Sequence, residues 1–211
     1  MNVEPALHQP ALPDTRGVLT WIWPQPVRAL TSAAVGGGLI ETRSLLNIGV
    51  TSEYRRVDLE AHAVEAHASL GLDALGPTLY TAADVRRVVA ANDGDVRCDA
   101  TVGVTKPTWA ADVDDAYSAW SPGTVNIVVQ LPVAFTDAAL VNAVMTATEA
   151  KTQAFIEAGV PGTGTASDAV AIVLTTVTGP RADFAGPRST WGSRIARTVH
   201  EAIQVGIAGQ P

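Results

Sequence analysis

The fold of this chain is decided by residues 122–170, which read PGTVNIVVQLPVAFTDAALVNAVMTATEAKTQAFIEAGVPGTGTASDAV. Residues 124–131 are rich in β-branched side chains and predict a strand. Thr136 or Asp137 can cap the long helix that follows, because both side chains accept hydrogen bonds from free backbone N–H groups. Residues 169–176 form a continuous apolar run and predict a buried strand. This succession of strand, helix and strand indicates an α/β protein.

The same pattern extends outward in both directions. Strands are predicted at residues 17–23, 27–33, 47–52, 85–91 and 96–104, and helices at residues 59–70 and 190–207. Pro24 is expected to separate the first two strands, because proline cannot donate to a strand ladder. The predicted fold class is α/β, a single domain with a mixed β-sheet of six or more strands and two long helices packed on it. Residues 1–15 are expected to be a loose N-terminal arm.

The composition indicates a compact globular protein and disfavours several partners. Of the 211 residues, 47% are hydrophobic and 17% are charged, which is typical of a folded domain. The formal net charge of −7 disfavours nucleic acid and anionic membranes. There is no apolar run of membrane-spanning length and no signal-peptide pattern, and Cys98 is the single cysteine. We therefore expect a cytoplasmic protein with no membrane span.

Two charged residues lie inside the otherwise apolar helix that begins near residue 136. Glu149 and Lys151 point to different sides of a straight helix, because each residue turns the helix by about 100°. Glu149 falls on a semi-polar face, where a carboxylate either bonds to backbone or serves a site. Lys151 falls on a face of small residues, as an anchor or as a side chain that extends to solvent. Glu149 is thus a candidate catalytic residue.

The segment PGTGTASD, residues 161–168, combines glycines, hydroxyls and an acid. Its glycines would let backbone N–H groups converge on one oxygen atom. A tight connection between a helix and a strand explains the segment equally well. It is not a phosphate-binding loop, because the lysine of that motif is absent. The candidate residues here are Gly162, Gly164, Thr165, Ser167 and Asp168.

A second glycine run and two asparagines are weaker candidates for substrate binding. Glycines after a strand permit close approach to the backbone, although a flexible turn explains them too. An asparagine inside an apolar strand either bonds across the sheet or points its amide into a pocket. These candidates are Thr31, Ser32, Gly36, Gly37, Gly38, Asn47 and Asn126.

A loop with tryptophans and a set of scattered histidines complete the candidates. Residues 105–122 are polar and carry Trp109 and Trp120, so they predict a loop or lid that can cover a large flat ligand. His62 and His67 are expected on the outer side of their helix, five positions apart, which is not a spacing for shared metal ligation. We therefore expect no metal site.

Taken together, these segments resemble the adenosylcobinamide amidohydrolase family of corrinoid salvage over about residues 28–202. No single piece is specific, but their order and combination are. The pieces are TSA with the triple glycine at 31–38, Asn47 with Tyr54, TAAD at 81–84, PGTVNI at 122–127, TEAKT at 148–152, GTASDA at 164–169, and AGP at 185–187 with Thr190 and Gly192.

The resemblance implies a single amidohydrolase-like domain over residues 16–211. It implies hydrolysis of the amide between aminopropanol and a propionate of the corrin ring, giving adenosylcobyric acid. The substrate is then a large, flat, cationic corrinoid, which agrees with the acidic composition. No cofactor is required by the protein, because the cobalt enters with the substrate. The alanine-rich helix faces would allow a homodimer.

Two mechanisms remain open at this point. In the first, Asp168 or Glu149 activates water in a shared, tryptophan-walled cavity, and N–H groups of residues 162–165 hold the oxyanion. In the second, Thr165 or Ser167 is a covalent nucleophile. A corrinoid carrier without catalysis, and a hydrolase of another small amide or ester, are the alternative functions.

Overall fold

One mixed sheet of eight strands organises residues 1–112 and 123–210, the part of the chain that the computed structural model describes. Its strands are β1 (Ala6–His8), β2 (Thr15–Thr31), β3 (Gly38–Val50), β4 (Thr78–Thr81), β5 (Val89–Asp93), β6 (Val96–Val102), β7 (Val125–Leu131) and β9 (Ala169–Leu174). The short strand β8 (Ala134–Phe135) does not belong to this sheet. The order is β4-β3-β2-β9-β7-β6-β5, and β1 pairs with β2. β3 with β4 and β7 with β9 are parallel pairs. The predicted α/β class with a mixed sheet is confirmed.

Three α-helices lie in the described ranges, and their bounds follow the sequence signals closely. They are α1 (Leu59–Ser69), α2 (Asp137–Glu157) and α3 (Thr190–Ala208). Thr136 caps α2 by accepting from the Ala139 N–H, and Ser189 caps α3 by accepting from the Gly192 N–H. A two-residue strand, β10 (Arg181–Ala182), pairs in parallel with β8.

The sheet is covered on both faces, and the two long helices share one of them. Side chains of β5, β6, β7 and β9 form the largest core cluster together with α2 and α3. On the opposite face, β2 and β3 pack over β7 and β9. Trp21 and Trp23 are buried there and donate to Asp99 Oδ2 and Gln130 Oε1, at 3.0 and 3.1 Å. Both tryptophans therefore serve the core.

β2 is one long strand where the sequence predicts two. It pairs with β3 over its whole length, with a register shift between Ile22 and Val27. Pro24 and Pro26 lie in this irregular stretch and are tolerated because bulges interrupt the ladder of hydrogen bonds. The prediction that Pro24 separates two strands is wrong for this reason.

The first residues are attached to the sheet instead of forming a loose arm. β1 pairs antiparallel with β2 from Ala6 to His8. The Val3 N–H donates to Gln130 Oε1 at 2.9 Å, and Gln130 Nε2 donates back to the Val3 carbonyl at 2.8 Å. These bonds join the chain terminus to β7.

Two local predictions are corrected by the packing of α1 and its neighbours. His62 and His67 are buried, not on the outer side of α1. His67 bonds to the Ala63 carbonyl and accepts from the Gly76 N–H, so its ring closes the turn after the helix. Val85–Arg87 forms a short 3₁₀ turn before β5, where a strand was predicted. No helix within the described ranges has the length and apolarity needed to cross a bilayer.

Candidate active site

A cavity of about 540 Å³ lies at the ends of five strands of the sheet. β2, β3 and β4 end at it, and β7 and β9 begin at it. A cavity of this size suits a small molecule or one part of a larger ligand. Its described lining includes Ser32, Tyr54, Arg55, Tyr80, Thr124, Ser167 and Asp168.

Asp168 lies at one edge of the cavity and accepts from four donors within the described residues. The Val125 N–H donates to Oδ1 at 2.9 Å, and the Thr165 N–H donates to Oδ2 at 3.0 Å. The Thr165 hydroxyl donates to Oδ1, and the Lys151 ammonium forms a salt bridge with Oδ2. The lysine and aspartate side chains are 9% and 12% exposed. Since a carboxylate has about four acceptor positions, the capacity of this one is filled.

The glycines of the predicted loop make room for this arrangement. A Cβ at Gly164 would overlap both Lys151 Nζ and Asp168 Oδ2. A Cβ at Gly162 would lie 2.7 Å from the carbonyl oxygen of Thr108. Neither glycine is explained by a turn conformation, because neither has a positive φ. Close packing therefore accounts for both of them.

Three of the four backbone N–H groups of residues 162–165 have partners inside the protein. The Gly162 N–H donates to the Val160 carbonyl at 2.9 Å, and the Thr163 N–H donates to the Thr108 carbonyl at 2.8 Å. The N–H of Thr165 is taken by the carboxylate described above. These three groups thus do not form the predicted oxyanion hole.

Ser167 presents its hydroxyl to the cavity next to that carboxylate. Its residue is exposed, and its Oγ lies 2.7 Å from Thr124 Oγ1. The Ser167 hydroxyl donates to the Gly123 carbonyl at 3.3 Å. Because a hydroxyl carries one proton, Ser167 can donate either to the Gly123 carbonyl or to the Thr124 hydroxyl. Thr165, the other predicted nucleophile, is buried on the inner side of Asp168.

Glu149 lies apart from this edge. It is exposed on α2 and lines a different groove with Thr152, Gln153 and Ile156. The expectation that Glu149 and Asp168 share a cavity is wrong, because the helix turns Lys151, and not Glu149, toward the sheet. The catalytic role predicted for Glu149 has no support from this geometry.

The opposite side of the cavity is aromatic, and the sequence did not single it out as a site. Tyr54 and Tyr80 line it, and the ring of His62 packs against both. The Tyr54 hydroxyl bonds to His62 Nδ1 at 2.8 Å, and the Tyr80 hydroxyl donates to the Leu59 carbonyl at 2.6 Å. Burial lowers the pKa of His62 and raises the pKa of Tyr54. Only Tyr54 was noted beforehand, as a piece of the resemblance.

Two arginines, Arg55 and Arg56, line the cavity beside the tyrosines. Arg56 forms salt bridges with Asp58 and Glu65, both at 2.7 Å. These hydrogen bonds raise the pKa of Arg56, and the bond from Arg56 lowers the pKa of Asp58 to about 2. Arg55 is exposed and donates to the Tyr54 carbonyl at 2.9 Å. The cavity therefore has a hydroxyl–carboxylate edge and an aromatic edge, beside which Arg56 is paired with two carboxylates.

The predicted residues at the end of β2 divide between the cavity and the surface. Ser32 lines the cavity and accepts from the Val170 N–H at 3.0 Å. Thr31 is buried and accepts from the Ala33 N–H. Gly36, Gly37 and Gly38 are exposed in the turn to β3 and are not among the described lining residues.

The two asparagines, Asn47 on β3 and Asn126 on β7, bond to each other. Asn126 Nδ2 donates to Asn47 Oδ1 at 2.9 Å and to the Tyr80 carbonyl at 3.0 Å. Asn47 Nδ2 donates to Thr101 Oγ1 at 3.0 Å. Of the two interpretations open from the sequence, the structure shows the bond across the sheet. Within the described residues, Asn126 Oδ1 has no hydrogen-bond partner.

The described aromatic lining does not include a tryptophan. Trp109 is 50% exposed and is not among the described lining residues, and Trp120 lies outside the described part of the chain. The tyrosines take the position that the prediction gave to tryptophan. In the described ranges, no three His, Cys, Asp or Glu side chains group closely enough to hold a metal ion.

These features define an α/β protein with a hydroxyl–carboxylate edge of the kind that hydrolases use. A family model described as adenosylcobinamide amidohydrolase matches residues 6–211, and the chain belongs to this family, whose members are named for acting on an amide C–N bond. It is 26% identical over 184 residues to the adenosylcobinamide amidohydrolase of Methanosarcina mazei, covering 83% of this chain and 88% of that relative. It is 35% identical over 139 residues to the Halobacterium salinarum protein of the same name, covering 62% of this chain and 58% of that relative.

Among solved structures, the likeness is weaker. The L-aminopeptidase D-Ala-esterase/amidase of Ochrobactrum anthropi covers all of this chain, and this chain covers 85% of it, at 11% identity and a TM-score of 0.43. A likeness at this level carries no functional conclusion.

Proposed function

We propose that the protein hydrolyses the amide between aminopropanol and a propionate of the corrin ring in adenosylcobinamide. The products are adenosylcobyric acid and aminopropanol, so the reaction would return a corrinoid to cobalamin synthesis. The observation that carries the proposal is the family match over residues 6–211, which includes every strand that borders the cavity. The cobalt enters with the substrate, and the protein needs no further cofactor in this proposal.

The size of the cavity indicates how such a substrate would bind. About 540 Å³ is a volume that encloses a drug-sized molecule, and a corrinoid is considerably larger. The aminopropanol side chain would therefore enter the cavity while the corrin ring stays at its mouth. The scissile amide would then lie between the Ser167 edge and the aromatic edge of Tyr54 and Tyr80.

Ser167 is the group that we assign to the attack on the amide. Its Oγ would bond to the carbonyl carbon, the C–N bond would break, and the serine proton would leave on the amine of aminopropanol. Water would then hydrolyse the resulting ester, releasing the corrinoid acid and restoring the hydroxyl. The hydrogen bond between the Thr124 and Ser167 hydroxyls would orient Ser167 for the attack, as positioned hydroxyls do in acyl transfer.

Asp168 has a different role in this scheme. Its two oxygens already accept from four donors among the described residues, so it is poorly placed to take a proton from water. Its negative charge lies beside the attacking hydroxyl and would favour the build-up of positive charge on the departing nitrogen. The water-activating mechanism is therefore the less well supported of the two.

The test is release of aminopropanol from adenosylcobinamide by the purified chain. Ser167→Ala should lower kcat by at least about 1,000-fold if the hydroxyl is the nucleophile, whereas Ser193→Ala on α3 should leave it unchanged. Rapid quenching and mass spectrometry should find a corrinoid acyl group on the peptide that contains Ser167.

Three outcomes would change the proposal. Full activity of Ser167→Ala would exclude the serine and favour water as the attacking group. Tight binding of the corrinoid without any product would point to a carrier. Failure to bind corrinoids, with cleavage of another amide, would point to a different hydrolase.

A further inference from the structure

We propose that Lys151 is a positioning residue for amide hydrolysis, an inference that rests on the proposed function. Lys151 lies on the buried face of α2, where Ala147 and Ala154, one turn away on either side, are fully buried. Its ring neighbour is Phe155, with Nζ 5.9 Å from the ring centre. An ammonium in such surroundings is unfavourable unless it is paired. The sequence thus keeps a charge where an apolar side chain would pack.

The partner of this charge is at the edge of the cavity. Lys151 Nζ forms its salt bridge with Asp168 Oδ2, and Asp168 is a described lining residue. Gly164 leaves the space in which the two groups meet, since a Cβ there would overlap both of them. Two separate segments therefore contribute to one contact: helix α2 supplies Lys151, and the loop before β9 supplies both Asp168 and the space at Gly164.

The Asp168 carboxylate connects Lys151 to the segments that hold Ser167. Its Oδ1 accepts from the Val125 N–H, at the start of β7, and from the Thr165 hydroxyl. Ser167 lies between Thr165 and Asp168 in sequence, and its hydroxyl meets Thr124, the residue before β7. Holding Oδ2 with Lys151 thus fixes both segments that orient Ser167. A misplacement of about 1 Å at a reacting centre can lower a rate about 100-fold.

A purely structural anchor would behave differently from a positioning residue. Loss of an anchor lowers the free energy of unfolding but leaves the turnover of the folded molecules unchanged. Loss of a positioning residue lowers kcat in folded molecules while substrate affinity is largely kept. The two roles are separated by measuring kcat and KM on protein that circular dichroism shows to be folded.

The first experiment removes the ammonium and then supplies it again. Lys151→Ala should lower kcat by roughly 10- to 100-fold and change KM by less than about threefold. Added propylammonium should restore part of kcat and saturate, because it has the three carbons and the ammonium that the substitution removes. Gln153→Ala, on the exposed face of the same helix, is the control and should show neither effect. A folded Lys151→Ala protein with the kcat of the wild type would overturn the inference.

The second experiment keeps both charges and separates them by steric means. Gly164→Ala should lower kcat about as much as Lys151→Ala, and the double variant should be no worse than either single one, because both changes break the same contact. Gly209→Ala is the matched control, since the nearest atom to its Cβ would be 3.4 Å away. Additive losses would overturn the inference. If Lys151→Ala does not fold, the kcat of Gly164→Ala alone tests the inference, and a wild-type kcat in that variant would overturn it.

Failure of the proposed function is recognised in the same assay. A folded wild-type chain that releases no aminopropanol would remove both the function and the inference. An active wild type with fully active Lys151→Ala and Gly164→Ala variants would remove the inference alone.

Discussion

Two charged residues on α2, only two positions apart, have opposite surroundings. Lys151 is buried and paired with Asp168 at the cavity, whereas Glu149 is exposed and lines a separate groove. From the sequence, the acid was the candidate for catalysis and the base was the anchor. The comparison teaches that a charged residue on a helix face of small residues is the better candidate for a buried ion pair. The small side chains around it let it reach a partner on the next element.

The same contrast recurs on α1. His62 is buried against Tyr54, while Glu65 is exposed and binds Arg56 from outside. In both helices the buried polar residue contacts a lining residue of the cavity. The exposed residues differ, because Glu149 lines a separate groove whereas Glu65 binds Arg56, which also lines the cavity. Three changes test this difference between inner and outer polar groups.

The largest effect is expected from removing the partner of Lys151. Asp168→Ala leaves a buried ammonium unpaired and should lower the free energy of unfolding by roughly 3–5 kcal/mol. Chemical denaturation with urea measures this. Asp137→Ala, which removes the exposed partner of Arg28, should cost less than about 1 kcal/mol. Equal effects of the two changes would contradict the contrast between buried and exposed pairs.

A smaller effect is expected from pH through His62. Burial lowers the pKa of His62 below its ordinary value of 6.5, so the unfolded chain takes up a proton before the folded chain does. The free energy of unfolding should therefore fall as the pH drops below about 6.5, down to the lowered pKa of the folded state. Urea denaturation at pH 7.5 and 5.5 should show a smaller decrease for His62→Gln. The same decrease in both proteins would mean that His62 is not responsible.

The smallest effect is expected on the outer face of α2. Glu149→Gln removes an exposed charge and should change the free energy of unfolding by less than about 0.5 kcal/mol. Aminopropanol release should stay within about twofold of wild type. A loss of most activity in this variant would restore the mechanism in which two carboxylates cooperate.

Much of the fold could be predicted because local signals agree with the tertiary structure. The predicted cap at Thr136 or Asp137 gives the start of α2 within one residue, and the helix predicted over residues 190–207 agrees with α3 within one residue. β7 and β9 are apolar and buried on both faces, as a central parallel pair must be. The course of β2 could not be predicted, because its bulge at the prolines is stabilised by pairing with β3 and not by its own residues.

Only one edge of the candidate site could be predicted from the sequence. Ser167 and Asp168 stood out because a short polar segment precedes an apolar strand. Tyr54 and Tyr80 did not stand out as site residues, because an aromatic residue near the end of a strand is usually part of the hydrophobic core. Their position depends on how α1 and β4 pack against each other, which no spacing encodes.

The two glycine-rich segments show the same limit. Gly36 and Gly38 have φ of 65° and 101°, so the turn between β2 and β3 requires their conformation. Gly164 has no such requirement and is needed because no side chain fits there. Both segments are rich in glycine, and only the neighbouring atoms show whether a glycine is needed for its backbone conformation or for the space that it leaves.

The pairing of β2 with β9 has a consequence for how the protein is made. Ser32, the residue after β2, bonds to Val170, and Arg28 to Thr31 pair with β9. These last residues of β2 therefore keep one unpaired side until β9 has been synthesised. An unpaired edge is a template for association with other chains. We therefore expect the yield of folded protein to depend on the speed of translation and on chaperones that shield the nascent N-terminal third.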